Sequence, residues 1–281
     1  MSVPASRRAP SFPASVLRVF DLSLGEMLWS RRSLFLALLV GGPVVLAAIS
    51  RVIEVAGQSG ALRMNGSSVT GSDIFGLMIW LLYVRFIVPV LGVFYGTALI
   101  ADEVEDRTIT YLFTRPIRRA AVVLGKYLAY VACTVLLVLP SAVLVFLLIV
   151  PMGGGSLGAE FPGLLKDLGM LALGLAAYGA VFAWVGARLK RPLVAGLVFG
   201  LGWEPAILLF PGYLKRLTVA YYLQALVPHS MPADASIGAL LQAFADVPGV
   251  ASSLAVLAAV TALALWAAAR TVETREYVLE Q

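Results

Sequence analysis

Two aspartates four residues apart, Asp102 and Asp106, stand at the edge of an apolar stretch, where one turn of helix puts both carboxylates on one face. Paired acids of this kind hold magnesium for chemistry on a diphosphate, but that chemistry needs a second acidic cluster to complete the cation site. Glu160, Asp167, Asp234 and Asp246 are scattered along the chain and do not form one. The lone histidine, His229, follows Pro228 without a second ligand nearby, and the lone cysteine, Cys133, falls inside an apolar block. Neither has the neighbours that a metal site or an activated nucleophile requires, and one cysteine cannot form an internal disulfide. The only Gly-Lys pair, Gly125-Lys126, is followed by Tyr127 and has Ala120 where a phosphate-binding loop carries its first glycine. Nucleotide must therefore be bound by another chain if this one uses it, and a non-catalytic role with no metal and no cofactor of its own is expected.

Two further charges, Arg85 and Glu204, lie within apolar blocks. An unpaired charge in hydrocarbon costs about 2.5 kcal/mol or more, so each should face a partner, water or a subunit interface. They could pair directly or line a shared cavity on a translocation path. Alternatively, Arg85 snorkels toward a surface and Glu204 makes a structural hydrogen bond that holds the chain at Pro205.

The elements that carry these residues are written in the hydropathy. Of 281 residues, 60% are hydrophobic and only 13% charged, against roughly 25% charged in soluble domains. The apolar residues come in six blocks, 33–53, 74–100, 127–150, 167–189, 193–210 and 249–269, each of a length that crosses a bilayer as helix. The expected fold is an all-α integral membrane protein with six transmembrane helices over 33–269, between an N-terminal segment 1–32 and a tail 270–281. The first block lies too far from the start, without a small-residue cleavage site, to read as a signal peptide. Six spans put both termini on one side. That side then holds fifteen of the 21 Lys and Arg residues, the other holds five, and Arg85 is left inside a span. The positive-inside bias makes both termini cytoplasmic, and it accounts for the net charge of +5 without nucleic acid.

Outside the spans, Val16, Leu17, Phe20, Leu24, Met27 and Leu28 share one helical face, which fits an interfacial helix on the inner leaflet. Residues 1–11 have no periodicity and read as disordered. The stretch 211–248 mixes apolar runs with Pro228, Pro232 and Asp234, too broken to span and suited to re-entrant or interfacial half-helices at the outer mouth. Pro43, Pro89, Pro140 and Pro205 fall inside spans and favour kinks. Gly196 and Gly200 form a small-xxx-small pair that permits close helix contact.

The loop 101–119 is the most informative segment. Asp102, Glu103, Glu105 and Asp106 crowd the first turns of a predicted short helix, Arg115 sits in its last turn and Pro116 stops it. Val104, Thr108, Tyr111 and Leu112 share a face, so the helix has an apolar edge with which to dock on a partner. In order, the loop shows Glu103 and Glu105, Thr108, Leu112, Pro116, Arg119, Gly125 and Lys126. This series resembles the membrane subunits of ABC-2 type transporters, with Arg107 in place of the family's usual glycine and Arg118 where serine is common. Trp203-Glu204-Pro205, Pro211-Gly212-Tyr213-Leu214-Lys215 and Tyr221-Tyr222-Leu223 are similar to the family's fifth span and outer segment.

The resemblance implies that the helix 102–113 is a coupling helix seated in a groove of an ABC ATPase, with Glu103, Glu105, Thr108, Leu112, Pro116 and Arg119 as the coupling residues. It further implies two ATPase copies that carry ATP and magnesium, and a second permease copy, in a homodimer or a paralogous heterodimer, enclosing the path. The expected place is a cell inner (plasma) membrane, as a multi-pass exporter subunit. Two other classes remain in view: an ion-driven carrier or channel, which would also use charges in kinked spans, and a membrane-embedded metal-dependent prenyl transferase built on Asp102 and Asp106.

Overall fold

The computed structural model describes residues 11–29, 31–56, 63–64, 67–68, 70–105, 118–209, 213–227 and 248–274. Nearly all of them are helical. The chain runs through α1 (Phe12–Leu28), α2 (Arg31–Val55), α3 (71–105), α4 (Arg119–Ile149), α5 (Leu157–Arg188), α6 (192–209), α7 (Val219–Gln224) and α8 (Val250–Thr274). Two-residue strands at Arg63–Met64 and Ser67–Ser68 pair antiparallel between α2 and α3. Among the described residues, five helices are long and apolar enough to cross a membrane: Leu34–Val55, Gly71–Asp102, Arg119–Ile149, Leu157–Arg188 and Val250–Thr274. The block expected at 193–210 is helical over 192–209, but its continuous apolar part, Pro192–Trp203, is shorter than those five. The helices overrun the apolar blocks: α4 begins eight residues before the block at 127, and α5 ten before the block at 167. Asp167, at the start of the block 167–189, is completely buried along α5.

The core forms where α3, α4 and α5 cross. Small residues set the spacing. A Cβ on Gly92 would meet Tyr178 Cβ at 2.8 Å, one on Gly96 would meet Phe182 Cβ at 2.8 Å, and one on Gly186 would meet the Thr97 carbonyl at 2.4 Å. With hydrocarbon outside, helix association cannot draw on a hydrophobic driving force and rests on such close packing and on interhelical hydrogen bonds. Both are present. Tyr127 and Tyr130 of α4 donate to the carbonyls of Ala176 and Leu175 on α5, at 2.9 and 3.0 Å. Tyr83 of α3 and Ser141 of α4 share a hydrogen bond of 2.7 Å, and the serine hydroxyl in turn donates to the Val40 carbonyl of α2 at 2.8 Å. That carbonyl lies next to residue 39, whose own carbonyl loses its helical donor at Pro43.

Pro89 and Pro205 leave a common signature. Each lies two residues beyond the end of a π-helical stretch, Ile79–Ile87 in α3 and Val198–Trp203 in α6. A proline has no amide to offer the carbonyl four residues before it; a register that reaches five residues onward passes that carbonyl to the next amide. Gly92–Gly96, against Tyr178 and Phe182, is a third π stretch.

Candidate functional site

At one end of the bundle the first described helix and the last both pack on α4. Helix α1 lies on α4 through Ser15, Val19 and Ser23, its only buried residues. A Cβ on Gly125 would stand 2.7 Å from Val19 Cβ and 2.8 Å from the Val16 carbonyl. The apolar face predicted for α1 (Val16, Leu17, Phe20, Leu24, Met27, Leu28) flanks this seam rather than forming it. Sequence reasoning missed the seam because two serines four residues either side of a valine do not register as an apolar stripe. Gly125, noted there as half of a Gly-Lys pair, is the residue that lets α1 approach. Replacing it with leucine should lift α1 off α4, and limited proteolysis near residue 30 should then accelerate severalfold while the remaining spans stay assembled. Unchanged cleavage would remove the seam as an anchor.

Arg119 starts α4 at the same end. Its Nη1 donates to the carbonyls of Val272 at 3.2 Å and Glu273 at 3.4 Å, in the last turn of α8. Those carbonyls have no donor within the described helix Val250–Thr274, and the helix dipole makes that end negative, so a guanidinium is the natural cap. Of the other predicted coupling residues, Glu103 and Glu105 fall on the final turn of the helical stretch Thr97–Glu105. Thr108, Leu112 and Pro116 lie outside the described residues.

The intramembrane charges sit elsewhere. Glu204, 2% exposed, begins the last helical segment of α6. One carboxylate oxygen accepts from the Tyr178 hydroxyl of α5, and the other accepts from the Val219 amide at 3.0 Å. Val219 opens α7, whose preceding Thr218 caps the Tyr221 amide. Glu204 thus joins α5, α6 and α7, and supplies an acceptor to an amide that the short helix cannot satisfy itself. Leu223 of α7 packs against α5, with its Cδ1 3.1 Å from where a Cβ on Gly174 would stand. The resembling runs Trp203-Glu204-Pro205 and Tyr221-Tyr222-Leu223 both reach α5, through Glu204 on Tyr178 and through Leu223 beside Gly174.

Arg85 is half-buried in the π-helical stretch of α3, with its guanidinium 4.9 Å from the Trp80 ring centre. A five-residue offset turns to a different face in an α-helix but is close to one turn of a π-helix, so the register ahead of Pro89 creates this cation–π contact. Arg85 lies within electrostatic range of Glu204 and Tyr178. It forms no direct ion pair with Glu204 among the described residues, and the carboxylate accepts instead from Tyr178 and Val219. The two charges share a neighbourhood, and the structural hydrogen bond weighed for Glu204 is present. Among the described residues, no three acidic, histidine or cysteine side chains are grouped as metal ligands would be.

Comparison with known families agrees with this arrangement. The family model described as ABC-2 family transporter protein matches residues 32–271, which takes in every helix described here except α1. No curated protein matches the chain.

Proposed function

Since the chain belongs to the ABC-2 transporter family, we propose that it is the permease subunit of an exporter whose ATP hydrolysis is carried out by a separate ATPase. In this reading six helices cross a plasma membrane with both termini in the cytoplasm, α6 being the short fifth span and 211–248 an outer, partly re-entrant segment. Two permease copies, identical or paralogous, enclose the path, and two ATPase copies hold ATP and magnesium. The observation that carries the reading is the ordered loop Glu103, Glu105, Thr108, Leu112, Pro116 and Arg119, inside the family-matched stretch of a chain with no phosphate-binding loop. An amphipathic helix in that loop would seat its Leu112 edge in a groove of the ATPase. Alternating access would then follow from moving the loop, with Arg85 and Glu204 placed beside the path or in its packing.

The test is co-expression with the ATPase encoded beside this chain. Glu105→Ala combined with Leu112→Ala should cut the ATPase recovered with the permease by about tenfold, equivalent to about 1.4 kcal/mol of docking energy. Undiminished recovery with undiminished transport would show that the loop is not the coupling helix. A carrier or channel would instead move cargo or pass current as the purified chain alone, with Arg85 and Glu204 as its charges.

A further inference from the structure

The small residues of α6 set a register that leads to the two intramembrane charges. A Cβ on Gly196 would stand 2.9 Å from Val93 Cγ1 and 3.4 Å from Thr97 Cγ2, and one on Gly200 would stand 3.2 Å from Val93 Cγ2 and 3.9 Å from Pro89 Cβ. Helices α3 and α6 therefore run antiparallel and in contact, and one further turn along the seam brings Arg85 and Glu204 to the same level. Arg85 lies within the π stretch of α3, and Glu204 directly follows that of α6. In the span Gly71–Asp102, Arg85 stands about 21 Å from one end and about 25 Å from the other at ~1.5 Å per residue. It sits near the centre of the span, about 15 Å from either surface of a hydrocarbon core about 30 Å thick, so the phosphates of the bilayer surface are out of its reach.

Only one of the two charges is open at this level. Glu204 is buried and accepts from Tyr178 and Val219, whereas Arg85 is half-buried, lies against the Trp80 ring and donates no hydrogen bond among the described residues. A molecule reaching this face meets a cation, and meets the negative charge only as a field through the protein. We propose, resting on the permease reading above, that Arg85 receives the charged head of the exporter's cargo, and that this cargo is an amphiphilic anion, one carboxylate or phosphate on an apolar body. A guanidinium offers an oxyanion five N–H donors, and the bidentate, charge-assisted pair they make is strongest where water is scarce. The anion has to come from outside the bundle. Asp167 and Glu204, the acids well inside the described spans, are enclosed in their own chain, so an identical copy has no exposed carboxylate to offer at this depth. The exposed side chains beside the two charges are apolar, Leu81 and Phe86 on α3 with Leu201 and Trp203 on α6, and suit the body of an amphiphile. Glu204, within electrostatic range, holds the affinity below that of an isolated guanidinium, which favours release.

The first arm of the test uses the permease alone in phosphatidylcholine nanodiscs, with empty discs subtracted, and measures binding of radiolabelled dodecyl phosphate, dodecanoate and dodecyltrimethylammonium. The two anions should bind saturably and the cation should not. Arg85→Gln should weaken anion binding by about tenfold or more, and Arg85→Lys by less, since it keeps the charge and loses the fork. Glu204→Gln should tighten it severalfold, an effect that a merely structural role for Arg85 would not produce. Equal binding of anion and cation by the parent permease, or unchanged anion binding in Arg85→Gln, overturns the anion site. Inorganic phosphate that displaces dodecyl phosphate at equal concentration overturns the amphiphile. The second arm adds the ATPase, and dodecyl phosphate should stimulate ATP hydrolysis severalfold in the parent complex and not in Arg85→Gln. Saturable binding without stimulation makes the anion a resident lipid and overturns its role as cargo. An ATPase that does not associate with the permease overturns the permease reading instead, and is told apart because anion binding in the first arm persists.

Discussion

Glu204→Ala is expected to be among the most damaging single substitutions in this chain. It strands the Tyr178 hydroxyl and the Val219 amide, both of which end at the carboxylate in a site that is 2% exposed. Buried donors left without acceptors cost about 1–3 kcal/mol each, so the sum is a sizeable fraction of the stability of an ordinary domain. Thermal unfolding in detergent, followed by size exclusion, should show a midpoint lower by roughly five to ten degrees, in line with about 2–4 °C per kcal/mol for a chain of this size. Helix α7 should come free at the same time, so a cysteine at Leu217, exposed on the short turn Tyr213–Leu217, should gain mobility by EPR. Glu204→Gln separates structure from charge. Its carbonyl can still accept from Val219 while its amide donates to the Tyr178 oxygen, leaving only the Tyr178 O–H without its acceptor, so the midpoint should fall by about half as much as in Glu204→Ala. If Glu204→Gln keeps the fold and loses transport, the negative charge itself serves the path. If Glu204→Ala unfolds no earlier than the parent, the three-helix junction is not a stability element.

The second large effect is expected at Gly179 on α5. A Cβ there would stand 1.9 Å from Tyr130 Cε1 and 2.7 Å from Cζ. Tyr130 is fully buried, and protein interiors are close-packed. Gly179→Val must push the ring away, breaking its hydrogen bond to the Leu175 carbonyl as well as opening the α4–α5 contact. Overpacking of a tight core costs about 1–3 kcal/mol before the lost hydrogen bond is added. Little folded protein should be recovered. Removing the obstacle is the control: Gly179→Val with Tyr130→Ala should recover more folded protein than Gly179→Val alone. A double variant no better than the single one would mean that the ring does not define the contact.

These two sites show where sequence reading stops. Glu204 could be flagged because a carboxylate inside an apolar block has to be accounted for, and a structural hydrogen bond was one of the two roles open to it. Its partners could not be named, since Tyr178 lies 26 residues away on another helix and Val219 lies 15 residues on, at the start of α7. Arg85 was flagged for the same reason. Its contact with Trp80, however, depends on a π register that an α-helical wheel assigns to different faces. Pro89, four residues after Arg85, was the available signal, because proline removes the amide that the Arg85 carbonyl would use. Gly179 carried no signal at all: one glycine among many in the spans becomes critical only when a tyrosine from α4 lies across it.

What the sequence determined by itself is the part that depends on runs of neighbouring residues. Whether a stretch enters hydrocarbon as helix follows from its summed transfer free energy and its length, and both are additive along the chain. Apolar helices therefore appear where the blocks stood, and the family was legible in a short ordered series of loop residues. The tertiary structure alone decided which small residues lie under which helix, where Arg119 spends its guanidinium, and what satisfies Glu204. Such contacts join residues up to 154 positions apart, and they exist only after the helices have chosen crossing angles and registers. That choice is made by close packing and hydrogen bonds in a medium that offers no hydrophobic preference between one apolar face and another.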